Sequence, residues 1–152
     1  MDEARKMVDE GKFMDATMVL LEAQGVAQQE KNVGDEARAL DGMGHLYKAQ
    51  KQAQSAVNHW EQAVELYQDV GDAANGAECA FNLGQIRLSL DEASRQAAAD
   101  WRVALTFAKE SGNQEVIHKI KTTVYARKVR NASASFVDTC DELYELLEDD
   151  DE

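Results

Sequence analysis

The chain has 152 residues, of which 44% are hydrophobic and 30% are charged, so it is too apolar for a wholly disordered protein. It carries 16 Lys+Arg against 29 Asp+Glu, and the resulting net charge of −13 disfavours nucleic-acid binding. No stretch approaches the ~20 apolar residues that span a bilayer, so no membrane insertion is expected.

The helices are predicted from composition and spacing. The chain contains no proline and no run with the alternation of a strand, and its apolar residues recur at helical spacing, as in Val57, Trp60 and Val64. Glycine followed by Asp or Asn at positions 34, 71 and 112 is expected to mark turns, because glycine ends helices readily. Eight helices are predicted, at about 2–10, 14–31, 36–50, 53–70, 74–90, 94–110, 115–130 and 135–148.

The chain repeats itself with a period of 40–41 residues, which is the signature of stacked helix hairpins. The first helices share Met43-Gly44 and Leu83-Gly84. The second helices share a set of small and large apolar residues: Ala16, Leu20 and Ala23; Ala56, Trp60 and Ala63; Ala97, Trp101 and Ala104. Since large residues at such positions fill the space between helices, both tryptophans are predicted to be buried.

These motifs resemble the tetratricopeptide repeat family, and the resemblance covers roughly residues 3–130. The period exceeds the family's typical ~34 residues and is similar to that of a subclass with longer helices. The resemblance implies an all-α, right-handed α-solenoid of helix hairpins. One departure is Arg87, which stands where the family has an aromatic residue.

The predicted organisation is a single repeat domain at 1–148 followed by an acidic tail at 149–152. Its repeats span about 1–33, 34–70, 71–111 and 112–148, the last of them degenerate, and 135–148 is expected to cap the solenoid. Nine of the 29 acids lie within 138–152, directly after a basic segment at 119–130. This acidic end is either a solvated tail that aids solubility or an arm that engages a basic surface.

No catalytic constellation is visible in the sequence. The three histidines, His45, His59 and His118, lack metal-ligand spacing, and no Ser–His–Asp or Cys–His grouping can be argued. We therefore expect no enzyme, no metal and no cofactor. The polar first residues are not followed by an apolar secretory segment, and two cysteines, Cys79 and Cys140, are too few for a disulfide framework. A cytoplasmic location with reduced thiols is expected.

The family resemblance also implies a concave groove lined by the first helices, in which a protein segment binds. Phe81 is either a groove anchor or an extra core residue. Asp41 and Glu78 stand where the lysines of the family's carboxylate clamp would be, so a mixed or basic helical peptide is a more plausible ligand than an anionic chain end. The groove positions are Asp41, His45, Lys48, Phe81, Asn82, Gln85, Lys119 and Thr123.

The leading functional hypothesis is a protein-interaction adaptor or scaffold whose partner is a protein or peptide. A first alternative is a self-assembly module, in which the short first helix leaves an end that pairs with another copy to give a homodimer. A second alternative is a chaperone for basic proteins that uses the acidic tail. A chaperone of this kind should lose binding when 138–152 is removed.

Overall fold

The computed structural model describes residues 2–91, 94–129 and 147, and the regular elements within them are all α-helices. The expected all-α class is thereby confirmed for this part of the chain. The helix bounds lie within three residues of those predicted: α1 Asp2–Asp9, α2 Phe13–Gln29, α3 Val33–Ala49, α4 Ala53–Val70, α5 Ala73–Leu90, α6 Arg95–Ser111 and α7 Gln114–Val129.

Short polar side chains start several of these helices by accepting hydrogen bonds from free backbone N–H groups. Asn32 accepts from Asp35 N at the start of α3, at 3.0 Å. Three further residues do the same: Asp72 at α5, Ser94 at α6 and Asn113 at α7. The caps fix the turns between consecutive helices and hence the register of the hairpins.

The turn predictions are right at two glycines and wrong at the third. Gly71 and Gly112 end α4 and α6 with a φ of 70°, the left-handed conformation that glycine adopts at low cost. Gly34 instead lies within the first turn of α3, because Asn32 caps that helix. The left-handed residue of this turn is Lys31, with a φ of 55°.

The helices pack in chain order, each against the next, with additional contacts of α1 with α3 and of α5 with α7. The result is a row of helix hairpins in which α1 lies beside α3 and α5 lies beside α7. The lengths are uneven: α1 has 8 residues, whereas α3 has 17 and α5 has 18. Of the three helix pairs that the structure describes, the first therefore has the shortest first helix.

A glycine and a tryptophan interlock inside each of the two central hairpins. Trp60 and Trp101 are fully buried, as predicted. A Cβ on Gly44 or on Gly84 would lie 2.3 Å from the indole Nε1 of Trp60 or Trp101, respectively. Because a methyl group cannot fit there, glycine at these positions is required by helix packing.

Several expectations fall on residues 130–146 and 148–152, outside the described part of the chain. They are the capping helix at 135–148, the acidic tail at 149–152, the Cys140 thiol and the end of the basic segment. Leu147 is described: it is helical, fully buried and a member of the hydrophobic core.

Candidate binding groove

The predicted groove residues lie on first helices that neighbour one another along the row. Asp41, His45 and Lys48 are on α3, Phe81, Asn82 and Gln85 are on α5, and Lys119 and Thr123 are on α7. The structure brings them together in three groups, one between α1 and α3, one between α3 and α5, and one between α5 and α7.

The first group surrounds the carboxylate of Asp41. Its Oδ1 accepts a hydrogen bond from the Trp60 indole N–H at 3.0 Å, and its Oδ2 accepts one from the Tyr67 hydroxyl at 3.0 Å. Burial raises the pKa of Asp41 above its usual value, although these two donors act in the opposite direction. Asp41 therefore ties α3 to α4 at the same time as it lines the groove.

His45 connects this carboxylate to α1. Its Nε2 lies 2.9 Å from a guanidinium nitrogen of Arg5 and 3.5 Å from Asp41 Oδ1, and its ring meets Trp60 edge-on. Burial, together with the positive charges of Arg5 and Lys48, lowers the pKa of His45 to about 4. The imidazole is thus neutral at pH 7 and accepts a hydrogen bond from Arg5, which places its own proton on Nδ1.

A cavity of about 170 Å³ opens over this first group. Besides Asp41 and His45 it is lined by Arg5, Arg38, Tyr67 and Asn75. It therefore presents two cations, an amide and a hydroxyl around a partly covered carboxylate. Such an arrangement suits hydrogen bonding to polar backbone or side-chain groups of a protein segment.

The second group pairs Lys48 of α3 with Gln85 of α5. Both side chains are exposed, and both line a cavity of about 330 Å³ together with Lys51 and Ile86. The Ile86 side chain supplies an apolar floor, while the two lysines make this part of the groove positive. Two residues that lie 37 positions apart in sequence thus share one surface.

The third group is centred on Phe81, which is only 4% exposed and belongs to the hydrophobic core. Its ring stacks on Trp101 with centroids 6.0 Å apart, and Lys119 Nζ lies 5.7 Å from the ring centroid. Lys119 also pairs with Glu115 at 3.1 Å and approaches Glu78 at 3.9 Å. The Lys119 side chain therefore covers the Phe81 ring.

The two remaining groove residues are partly buried. The Thr123 hydroxyl donates to the backbone carbonyl of Lys119 at 2.8 Å, a bond within its own helix. Asn82 is half-buried on α5. The prediction that Phe81, Asn82 and Gln85 form the centre of a partner site stays a prediction. Within this trio, Gln85 is the exposed residue that a partner can reach without rearrangement.

Sequence reasoning missed Arg5, and it noted Arg87 as a departure from the family pattern without predicting its partners. The 40-residue offset contains a signal for Arg5, because it places this residue in register with His45 and Gln85. Arg87 replaces the expected aromatic residue and forms an ion cluster with Glu61 of α4 and Asp100 of α6. Burial raises the pKa of Asp100 to about 6, against the lowering effect of the Arg87 charge.

Other kinds of site are not found in the part of the chain that the structure covers. Among residues 2–91, 94–129 and 147, no group of His, Cys, Asp or Glu has the arrangement of a metal centre. In the same residues, none of the helices is both long and apolar enough to cross a membrane. The Cys79 thiol is fully buried, and burial raises its pKa well above the usual value.

Comparison with known proteins adds no family assignment. No protein-family model matches the chain, and no curated protein matches it at a significant level.

Proposed function

We propose that this chain is a protein-interaction module of the tetratricopeptide repeat type, a right-handed α-solenoid that binds a segment of a partner protein along its first helices. The in-phase period of 40–41 residues and the row of packed hairpins support the architecture. The burial of Leu147 supports a capping helix at 135–148.

One observation carries the binding role: the first helices line their shared surface with polar groups and open cavities, while their other sides are packed. The cavity at Asp41 and His45 and the cavity at Lys48 and Gln85 both lie between neighbouring first helices. A partner segment that follows the groove would meet hydrogen-bonding groups first and a positive, partly apolar surface next. This arrangement fits an adaptor better than an enzyme.

The test is a pull-down with the intact chain, with identification of the retained proteins by mass spectrometry. Lys48→Glu reverses a charge inside the groove, and Lys31→Glu makes the same charge change at the turn after α2. Both side chains are exposed, so neither variant should unfold. We expect Lys48→Glu to lose partners that Lys31→Glu retains. Equal retention by the two variants would contradict binding in this groove.

A further inference from the structure

The part of the groove between α3 and α5 carries two cations that the repeat does not require. Lys48 lies in the last turn of α3 and Lys51 lies in the turn that follows, and both side chains are exposed. At an offset of 40 residues the equivalent positions are Val8 and Gly11 in α1–α2, and Leu88 and Asp91 in α5–α6. The two lysines are thus a property of the α3–α4 hairpin alone.

Neither of these lysines is paired with an acid in the part of the chain that the structure describes. The ammonium groups of Lys12 and Lys119, by contrast, lie 3.0 Å and 3.1 Å from the carboxylates of Glu10 and Glu115. The chain has 29 Asp+Glu against 16 Lys+Arg, so acids are in excess overall. Two neighbouring cations without an acid beside them therefore form a local positive surface on a negative molecule.

Both lysines line the cavity of about 330 Å³ between the end of α3 and the last turns of α5, which we call the lysine cavity. A water molecule takes up about 30 Å³, so the cavity has room for about ten waters and hence for a few side chains of a partner. None of the described residues that line it is acidic. They are Lys48, Lys51, Ala53, Gln85, Ile86 and Ser89.

The two neutral polar side chains of the lysine cavity differ in what they can offer a ligand. The Ser89 hydroxyl donates to the backbone carbonyl of Ile86 at 2.6 Å, so its proton is already used. The exposed amide of Gln85 has no hydrogen bond to the described residues, so its NH2 group can donate. Together with the two ammonium groups it supplies the kind of donors that carboxylate oxygens accept from.

The acids that favoured a mixed or basic ligand lie at other levels of the groove. Asp41 lines the cavity next to α1, where hydrogen bonds occupy both of its carboxylate oxygens. Glu78 lies 3.9 Å from Lys119, in the group between α5 and α7. Neither of them lines the lysine cavity. The charge that a partner meets therefore changes along the groove.

We propose that the lysine cavity binds an acidic segment of the partner protein, in which side-chain carboxylates pair with Lys48 and Lys51 while an aliphatic side chain contacts Ile86. This inference rests on the proposed function, since it names the kind of partner segment that this section of the groove takes. Charge complementarity carries it: the chain as a whole, at −13, repels acidic segments, so their attachment depends on a local positive surface.

The probe is the peptide Gly-Glu-Ser-Leu-Ser-Glu-Gly, blocked at both ends and titrated into the intact chain by calorimetry. When it is extended, both Glu side chains and the Leu side chain lie on the same side. The matched peptide has Gln in place of both Glu residues. We expect the Glu peptide to bind saturably and at least about fivefold more tightly than the Gln peptide. Equal or weaker binding of the Glu peptide would overturn the proposal.

Three variants with the same charge change locate the site. Lys48→Gln and Lys51→Gln alter the lysine cavity, whereas Lys31→Gln alters an exposed lysine outside it that has nearly the same positive φ as Lys51, 55° against 60°. We expect each of the first two to weaken binding of the Glu peptide about threefold to fivefold, and the third by less than about 1.5-fold. Equal weakening by all three would mean that net charge alone decides binding, and the proposal would be wrong.

The apolar contact is tested on the peptide, because Ile86 is only 6% exposed and its replacement would disturb the core. A peptide with Ser in place of Leu keeps both carboxylates and loses the aliphatic side chain. We expect it to bind about fivefold more weakly than the Glu peptide. Equal affinity of the two peptides would contradict the contact with Ile86 and overturn the proposal.

Two further comparisons separate this inference from its neighbours. If the pull-down with Lys48→Glu loses partners but the Glu peptide does not bind, the proposed function stands and the acidic ligand alone is wrong. A variant that lacks 148–152 tests the chain's own acidic end as the occupant. If it binds the Glu peptide more than about fivefold more tightly, that end occupies the cavity and the proposal is overturned; a smaller change supports a segment of another protein.

Discussion

The α3–α4 and α5–α6 hairpins use the same interlock of glycine and tryptophan but surround it differently. In α3–α4 the indole N–H of Trp60 is shared between the backbone carbonyl of Asp41, at 3.2 Å, and its side chain, at 3.0 Å, and this side chain also accepts from the Tyr67 hydroxyl. In α5–α6 the equivalent of Asp41 is Phe81, and the indole N–H of Trp101 donates to its backbone carbonyl at 3.2 Å. The hydrogen-bonded side chain of Asp41 in α3–α4 thus has an apolar counterpart in α5–α6, the Phe81 ring that stacks on Trp101.

Near the C-terminal ends of α3 and α5 the difference is reversed, because there the aromatic pair is in α3–α4 and the charged pair is in α5–α6. In α3–α4 the rings of Tyr47 and His59 lie 4.8 Å apart. In α5–α6 the corresponding residues are Arg87 and Asp100, whose Nε and Oδ2 atoms lie 2.7 Å apart. Each of these two hairpins therefore has one polar pair: Asp41 with Tyr67 near the middle of α3, and Arg87 with Asp100 near the C-terminal end of α5. Since a buried polar group needs a partner, such residues are replaced as pairs and not singly.

The largest expected effect on stability concerns the buried tryptophan that the two hairpins share. Trp60→Ala or Trp101→Ala should lower the free energy of unfolding by about 3–5 kcal/mol, because either leaves a large cavity among fully buried residues. Chemical unfolding followed by circular dichroism measures this loss. A loss below about 1 kcal/mol in both variants would contradict their place in the core.

The next largest effect concerns the Arg87–Asp100 ion pair, which replaces the aromatic pair of α3–α4. Arg87→Met leaves the Asp100 carboxylate, 9% exposed, without its cation and should cost about 2–4 kcal/mol at pH 7. Replacing the pair together, as R87Y/D100H, introduces the residues found in α3–α4 and should recover most of the loss. Equal loss of stability in the single and double variants would show that the pairs are not interchangeable.

Two buried groups, His45 of α3 and Asp100 of α6, should make contributions of opposite sign to the pH dependence of stability. The pKa of His45 is lowered to about 4 from an ordinary 6.5, so between these values the unfolded chain binds more protons and stability falls as pH falls. The pKa of Asp100 is raised to about 6 from 3.8, so the folded chain binds more protons and stability rises as pH falls.

The His45→Gln variant, which introduces the residue found at position 85, removes the contribution of His45 to this pH dependence. Relative to the unmodified chain, the variant should gain about 1–2 kcal/mol as the pH is lowered from 7 to 5. Urea unfolding at a series of pH values measures the difference. A constant difference across this range would mean that His45 titrates normally in the folded protein.

The smallest effect concerns the turns. The turns after α2 and α3 contain Lys31 and Lys51 at positive φ, whereas those after α4 and α6 contain Gly71 and Gly112. Lys51→Gly should raise the free energy of unfolding by about 0.5–1 kcal/mol, because glycine adopts the left-handed conformation without a steric penalty. Lys48→Gly, inside α3, is the control and should destabilise the chain by about as much.

The repeat pattern was enough to predict the helices, their hairpin order and the burial of both tryptophans. These features follow from apolar periodicity, which sequence displays directly. The turn at Lys31 was mispredicted because a capping asparagine, Asn32, and not the glycine at position 34, decides where α3 begins. Glycine alone does not reveal which of two neighbouring positions takes the left-handed conformation.

The candidate groove was predicted only in outline. Register along the first helices placed the residues on one line, but it could not show that Phe81 would be covered by Lys119. The contacts of Arg5 and Arg87 were also not apparent, because they join residues 13 to 40 positions apart on different helices, whose meeting depends on how the helices pack. Side-chain pairing across helices is a property of packing and not of local sequence.

The short α1 has a consequence for how evenly the protein holds together. In a row of hairpins each unit is stabilised by its contacts with the neighbouring helices, and α1 contributes only eight residues to such contacts, so it opens at lower free energy than the longer helices. Amide hydrogens of α1 and of the start of α2 should therefore exchange with solvent fastest, while those of α4 and α5 exchange only through more extensive unfolding. The exposed apolar residues at the start of α2, Met14 and Met18, would then lie beside the helix that opens most readily.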